Sequence, residues 1–163
     1  MSNQLIVDAF IEIPTGSQNK YEFDKEKGAF ILDRVLFGSM RYPAEYGYLE
    51  NTLALDGDPL DIMVLVTNPT FPGCVISSRV IGFMEMIDNG EHDEKLLAVP
   101  TEDPRWQHVN SLNDVAPHTL KEIENFFLRY KDLENKKVEV KGWRDAAAAA
   151  ELFEACKQRF SSQ

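Results

Sequence analysis

The sequence predicts a single domain of the α+β class, mainly β, in which a β-barrel carries two helices on its outside. Three observations lead there. Through roughly the first hundred residues, short apolar segments alternate at period two between Gly, Pro, Asn and Asp turns. Two later stretches repeat apolar residues at helical spacing instead. No linker, repeat or low-complexity segment divides residues 1–163, a length that buries a sizeable core without staples.

Residues 5–13 read as a strand with Val7, Ala9, Ile11 and Ile13 on one face and Asp8, Phe10 and Glu12 on the other. After a turn-rich loop over 14–19, strict alternation in 20–24 points Lys20 and Glu22 the same way. Residues 25–28 form a hairpin turn with Gly28 in the left-handed position, and 30–37 return as a strand that sends Asp33 and Arg34 to opposite faces. These strands read as an antiparallel meander. Residues 38–47 are expected as an irregular aromatic loop over one end of the barrel.

Next comes Asp56-Gly57-Asp58-Pro59-Leu60-Asp61, feeding the short β-branched run Ile62-Met63-Val64-Leu65-Val66, a buried strand. Asn89-Gly90 marks a tight turn between a long strand over 74–88 and its return over 96–100. Pro117 opens a helix in which Leu120, Ile123, Phe126, Phe127 and Tyr130 form the covering stripe. Residues 136–141 alternate as a short strand with Val138 and Val140 inward. Asp145 caps a last helix that buries Ala149, Leu152, Phe153, Cys156 and Phe160.

Charge narrows the function. A net charge of −10 with no basic run opposes binding to nucleic acid or an anionic membrane surface. The polar start, Met1 to Gln4, and the acids Asp8 and Glu12 in the first apolar stretch leave neither a secretory core nor a membrane span, so a cytoplasmic protein is expected. Cys74 and Cys156 make no metal or redox spacing and read as free thiols. His92, His108 and His118 make no zinc pattern.

Three carboxylates in the hexapeptide repel one another unless cations sit among them. Counted from Asp56, the sixth and twelfth positions are Asp61 and Thr67, so the loop is not an EF-hand. Asp88 and Asp93 flank the second turn, and Glu12 and Glu22 lie on strands, giving seven candidate oxygen ligands with Asp56, Asp58 and Asp61. Carboxylates without His or thiolate partners select magnesium or manganese. Lys20, Arg34, Lys95 and Lys131 are interleaved with them. With a substrate of about −4, the balance is about −7, which three or four divalent ions bring near neutrality. A small polyphosphate fits that balance.

Two other readings compete with this one. An OB-like barrel binding single strands through Tyr42, Tyr46 and Tyr48 needs a basic groove, and the aromatic loop here runs into an acidic one. A metal-stabilised barrel that binds phosphate without turnover would keep Asp56, Asp61 and Asp93 without needing Lys20, Arg34, Tyr130 and Lys131.

The chain is also similar, over nearly its whole length, to the family I soluble inorganic pyrophosphatases. The resemblance rests on Lys20-Tyr21-Glu22, Asp33-Arg34, Tyr42-Pro43-x-x-Tyr46-Gly47-Tyr48, the acidic hexapeptide, Asp88 with Asp93 and Lys95, and Phe126-Phe127-x-x-Tyr130-Lys131-Asp132-Leu133-Glu134. It implies a five-stranded OB-like barrel that hydrolyses pyrophosphate to two phosphates with magnesium. A metal-bridging water or hydroxide would be the nucleophile. By that analogy Asp56, Asp61 and Asp93 hold the tightest metal, with Asp61 bridging to a second. Asp88 with Asp93 bind the metal arriving with substrate, and Glu12 and Glu22 a further ion. Asp58 is the first candidate for the base and Asp93 its rival. Lys20, Arg34, Tyr46, Tyr130 and Lys131 resemble phosphate contacts, supported by Lys95 and Tyr42. A homo-oligomer, a hexamer in bacterial relatives, is implied as well.

Overall fold

The computed structural model describes residues 4–163, so residues 1–3 of the polar start lie outside it. In chain order the strands are β1 (Ile6–Ile13), β2 (Asn19–Asp24), β3 (Ala29–Val35), β4 (Glu45–Tyr48), β5 (Asp61–Val64), β6 (Val75–Asp88), β7 (Glu91–His92), β8 (Lys95–Pro100) and β9 (Val138–Asp145). Helix α1 (Pro117–Arg129) precedes β9, and α2 (Ala146–Ser161) follows it. Pairings run β1 to β4, β4 to β5, β5 to β8, β8 to β6 and β6 back to β1, which closes the five-stranded ring expected for an OB-like barrel. Only β5 and β8 in this ring run parallel. The long β6 outruns the ring, and β7 and β9 pair with it.

Neighbouring residues of the central strands enter different cores. Met63, Leu97 and Val99 join Ile123, Phe126 and Phe127 of α1 in one apolar cluster. Ile62, Val64, Leu96 and Ala98 join Val7, Ala9 and Ile11 of β1 and Ala149 and Cys156 of α2 in the other. Burial on both faces is why β5 reads as an unbroken apolar run. Pro117 sits in the first turn of α1 as expected. The Asp145 carboxylate accepts from the Ala148 N–H at 2.9 Å and starts α2.

Five expectations change. The meander is interrupted, because β2 and β3 pair only with each other while β1 joins β4 and β6. Residues 45–47 of the expected aromatic loop belong, with Tyr48, to barrel strand β4, where Gly47 lets the chain press against β1. A Cβ there would lie 1.9 Å from the Phe10 carbonyl oxygen. Asp33 and Arg34 do not diverge: the register steps from Lys20 opposite Arg34 to Tyr21 opposite Leu32, so Asp33 is the extra residue of a bulge and turns toward its neighbours. Strand β9 continues to Asp145, with a register shift where Glu85 pairs Gly142 and Met86 pairs Val140. Phe160, in the last turn of α2, is 40% exposed rather than buried.

Candidate active site

The site grows from one patch of the barrel. Asp61 opens β5, directly in register with Lys95 on β8 and Tyr48 on β4, which places Tyr46 diagonally across from Asp61 on the same face. The Tyr46 hydroxyl donates to Asp61 Oδ2 at 2.9 Å, and Lys95 Nζ donates to the same oxygen at 3.0 Å and to Tyr46 Oη at 2.6 Å. Lys95 also reaches Asp93 Oδ1 at 3.1 Å. Its side chain is 2% exposed, over the rings of Tyr46 and Phe127.

Burial alone would lower the Lys95 pKa, but Asp61, Tyr46 and Asp93 hold it well above the usual value, so the ammonium stays charged. Burial also pushes Asp93 upward, and Asp61 adds to this against the attraction of Lys95. Asp56 is raised as well, by burial and by Asp93 and Asp58. One buried ammonium therefore does not compensate the acids around it. Burial raises the phenols of Tyr42, Tyr46 and Tyr130, which remain neutral donors.

Asp56, Asp58, Asp61, Asp88 and Asp93 all line one cavity of about 370 Å³, with Lys20, Tyr46, Lys95, Tyr130 and Lys131. The acidic hexapeptide turns through Gly57 at φ 89°, and the Asp58 N–H donates to Asp56 Oδ1 at 3.0 Å. Asp88 ends β6, and Lys131 Nζ donates to it at 2.6 Å from beyond α1. Glu12 and Glu22 line an adjoining cavity of about 430 Å³ that shares Lys20, Tyr46, Asp58 and Asp61 with the first. Glu12 accepts from the Phe23 N–H at 2.9 Å, and burial raises its pKa from 4.5 to about 7, with Asp61 and Glu22 adding repulsion. Lys20 Nζ donates to Glu22 Oε1 at 2.5 Å and to Asp33 Oδ2 at 3.3 Å.

Two of the sequence-derived residues stand back from these walls. Tyr42, 2% exposed, packs its ring 5.6 Å from Tyr46 and 4.7 Å from Phe126. Arg34 lines neither cavity and donates to Asp33 and Glu134. The lining also includes Asn89, Glu91, His92 and Lys136, which sequence reasoning passed over. The signal for the first three was the turn itself, whose tip the flanking Asp88 and Asp93 carry into the cavity. A roomier cavity, about 760 Å³, lies next door around Arg129 and Lys137 and shares Asn89 and Lys136. Converging acids, not size, distinguish the smaller pair.

Magnesium suits this donor set. The candidate ligands are all carboxylate oxygens, and Glu12, Asp56 and Asp93 have pKa values raised by burial first and by neighbouring acids second, a strain that a cation would relieve. Among the described residues no three acids or His or Cys side chains gather into a ready-made metal cage. Lysines spread them, with Lys95 between Asp61 and Asp93 and Lys131 on Asp88.

Known proteins match this chain over most of its length. The family model described as inorganic pyrophosphatase matches residues 9–161. An inorganic pyrophosphatase of Halalkalibacterium halodurans is 67% identical over 155 residues, covering 95% of each chain. One from Geobacillus stearothermophilus is 64% identical over 158 residues, 97% of this chain and 96% of its own. The crystal structure of the Thermus thermophilus inorganic pyrophosphatase superposes with a TM-score of 0.93 at 46% identity, covering 96% of this chain and 91% of that one. On this agreement of sequence, barrel and extent, the chain belongs to the inorganic pyrophosphatase family.

Proposed function

We propose that this chain hydrolyses inorganic pyrophosphate to two orthophosphates, with magnesium bound among the cavity acids. One observation carries the reading: five aspartates and the cationic or phenolic groups of Lys20, Tyr46, Lys95, Tyr130 and Lys131 line a single cavity. Such a lining suits a small polyanion that arrives with hard cations. Asp56, Asp61 and Asp93 would hold the tightest ion, Asp61 would be shared with a second, Asp88 with Asp93 would take a third, and Glu12 with Glu22 a fourth. Manganese would substitute. When bound, such ions neutralise the phosphoryl oxygens and acidify water.

The chain's own groups do the rest. Lys20, Arg34, Tyr46, Tyr130 and Lys131 bind and orient the two phosphates, and Lys95 and Tyr42 hold Tyr46 and its surroundings in place. Their fixed donors stabilise charge that grows on the leaving phosphate more than they stabilise the ground state. Asp58, exposed at the mouth of the cavity, accepts or orients the proton of the attacking water, with Asp93 as its rival. Residues 1–163 act as one unit, in a cytoplasmic homo-oligomer of hexamer type. Among the described residues no helix is long and apolar enough to cross a membrane.

The test is phosphate release from pyrophosphate with magnesium and with a chelator. Turnover that requires the metal is expected, and turnover that persists in chelator overturns the reading. Asp58→Asn should lower the rate more than it weakens metal binding. The reverse outcome makes Asp58 a ligand rather than a base.

A further inference from the structure

Glu134 lies in the 3-10 turn Asp132–Glu134 beyond α1, and no step above uses it. Its side chain is 6% exposed, and Oε2 accepts from Arg34 Nε at 3.1 Å across a separation of 100 residues. Asp33 Oδ2 accepts from Arg34 Nη1 at 2.5 Å. A guanidinium carries five N–H groups in a planar fork, so the two acceptors leave three, all on the Nη end. That edge matches a pair of phosphate oxygens.

The two segments joined here belong to different elements. The β2–β3 hairpin, which carries Lys20, Glu22 and Arg34, shares no ladder with the barrel. The turn that carries Glu134 follows Tyr130 and Lys131, and Lys131 is fastened to Asp88. The Arg34–Glu134 pair thus joins the hairpin that carries Lys20 to the segment that carries Tyr130 and Lys131, three residues that line the cavity.

We infer that Glu134 is a positioning residue for pyrophosphate: it clasps Arg34 Nε, ties the hairpin to the end of α1, and leaves the Nη edge of the guanidinium for a phosphate. This rests on the pyrophosphatase reading above. Charge and position predict opposite signs. Removing a carboxylate strengthens the local positive field, so a purely electrostatic Glu134 would lower KM whenever it is neutralised. A clasp makes the acceptor oxygen the deciding feature, which Gln keeps and Ala loses.

The experiment measures phosphate release from pyrophosphate at saturating magnesium, diphosphate-site affinity by calorimetry with the non-hydrolysable methylenediphosphonate, and melting temperature. It compares the wild-type chain, Glu134→Ala, Glu134→Gln, Arg34→Lys, and Arg34→Lys combined with Glu134→Ala. Glu134→Ala is expected to raise KM and Kd about tenfold, the scale of one charged hydrogen bond, with kcat within about threefold. Glu134→Gln should stay within about threefold of wild type, and Glu134→Ala should add nothing to Arg34→Lys. The inference falls if Glu134→Ala leaves KM and Kd unchanged or lowers them, if Gln behaves as Ala does, or if the effect persists at full size on Arg34→Lys. A wild-type chain that binds methylenediphosphonate without releasing phosphate from pyrophosphate overturns the hydrolase reading alone, because the Kd comparison still reads the clasp. A chain that neither binds the diphosphonate nor releases phosphate overturns both.

Discussion

Replacing Glu12 by Gln should make the metal-free protein more stable, and by an amount that depends on pH. Burial raises the Glu12 pKa from 4.5 to about 7 in the folded chain. Between those values the folded state keeps a proton that the unfolded state releases, so the wild-type stability falls as pH rises through this window and levels off above it. Each pKa unit is worth about 1.4 kcal/mol, which makes the full penalty about 3 kcal/mol. Gln keeps an acceptor for the Phe23 N–H and carries no charge, so it escapes the penalty. Urea unfolding in chelator should find Glu12→Gln more stable than wild type by about 1 kcal/mol at pH 5 and about 3 kcal/mol at pH 8. Millimolar magnesium should shrink the difference at pH 8, since only the carboxylate can answer a cation. A difference that stays flat from pH 5 to pH 8, or that favours the wild type in chelator, refutes the reasoning.

Two substitutions at residues outside the cavity lining test the frame that holds it. Gly47→Ala drives a Cβ to 1.9 Å from the Phe10 carbonyl oxygen, a backbone atom that cannot swing aside. The β1–β4 seam should open at a cost above about 3 kcal/mol, seen as a fall in the urea midpoint, and an unchanged midpoint would contradict the close approach. Asp145→Ala removes the cap on the Ala148 N–H and should cost about 1 kcal/mol, or about 2–4 °C in Tm, without changing turnover per folded molecule.

Most of the barrel could be read because its strands obey a simple period. Val7, Ala9, Ile11 and Ile13 alternate, and all four are buried. The misreadings fall where the period breaks. The β9 pattern of Val138 and Val140 stops at Lys141, the residue without a partner at the register shift, so alternation could not reveal that the strand runs on to Asp145. Asp33 is hidden in the same way by the bulge opposite Lys20 and Tyr21. Strand β4 is four residues long, and what makes it a strand is the fit of Gly47 against β1, a tertiary fact with no local signature. The acids were legible because they cluster at strand ends in sequence. The partners that hold the cations were less so: the contact of Glu134 with Arg34 spans 100 positions, and no periodicity reports it.

In the proposed function, acids from distant parts of the chain act together on one diphosphate through shared cations, with Asp61 at their meeting point. The most direct measurement is the rate of phosphate release from pyrophosphate by Asp61→Ala in saturating magnesium, beside circular dichroism of the same sample. A folded barrel with turnover abolished is the predicted result. A folded barrel that releases phosphate at the wild-type rate would contradict the account.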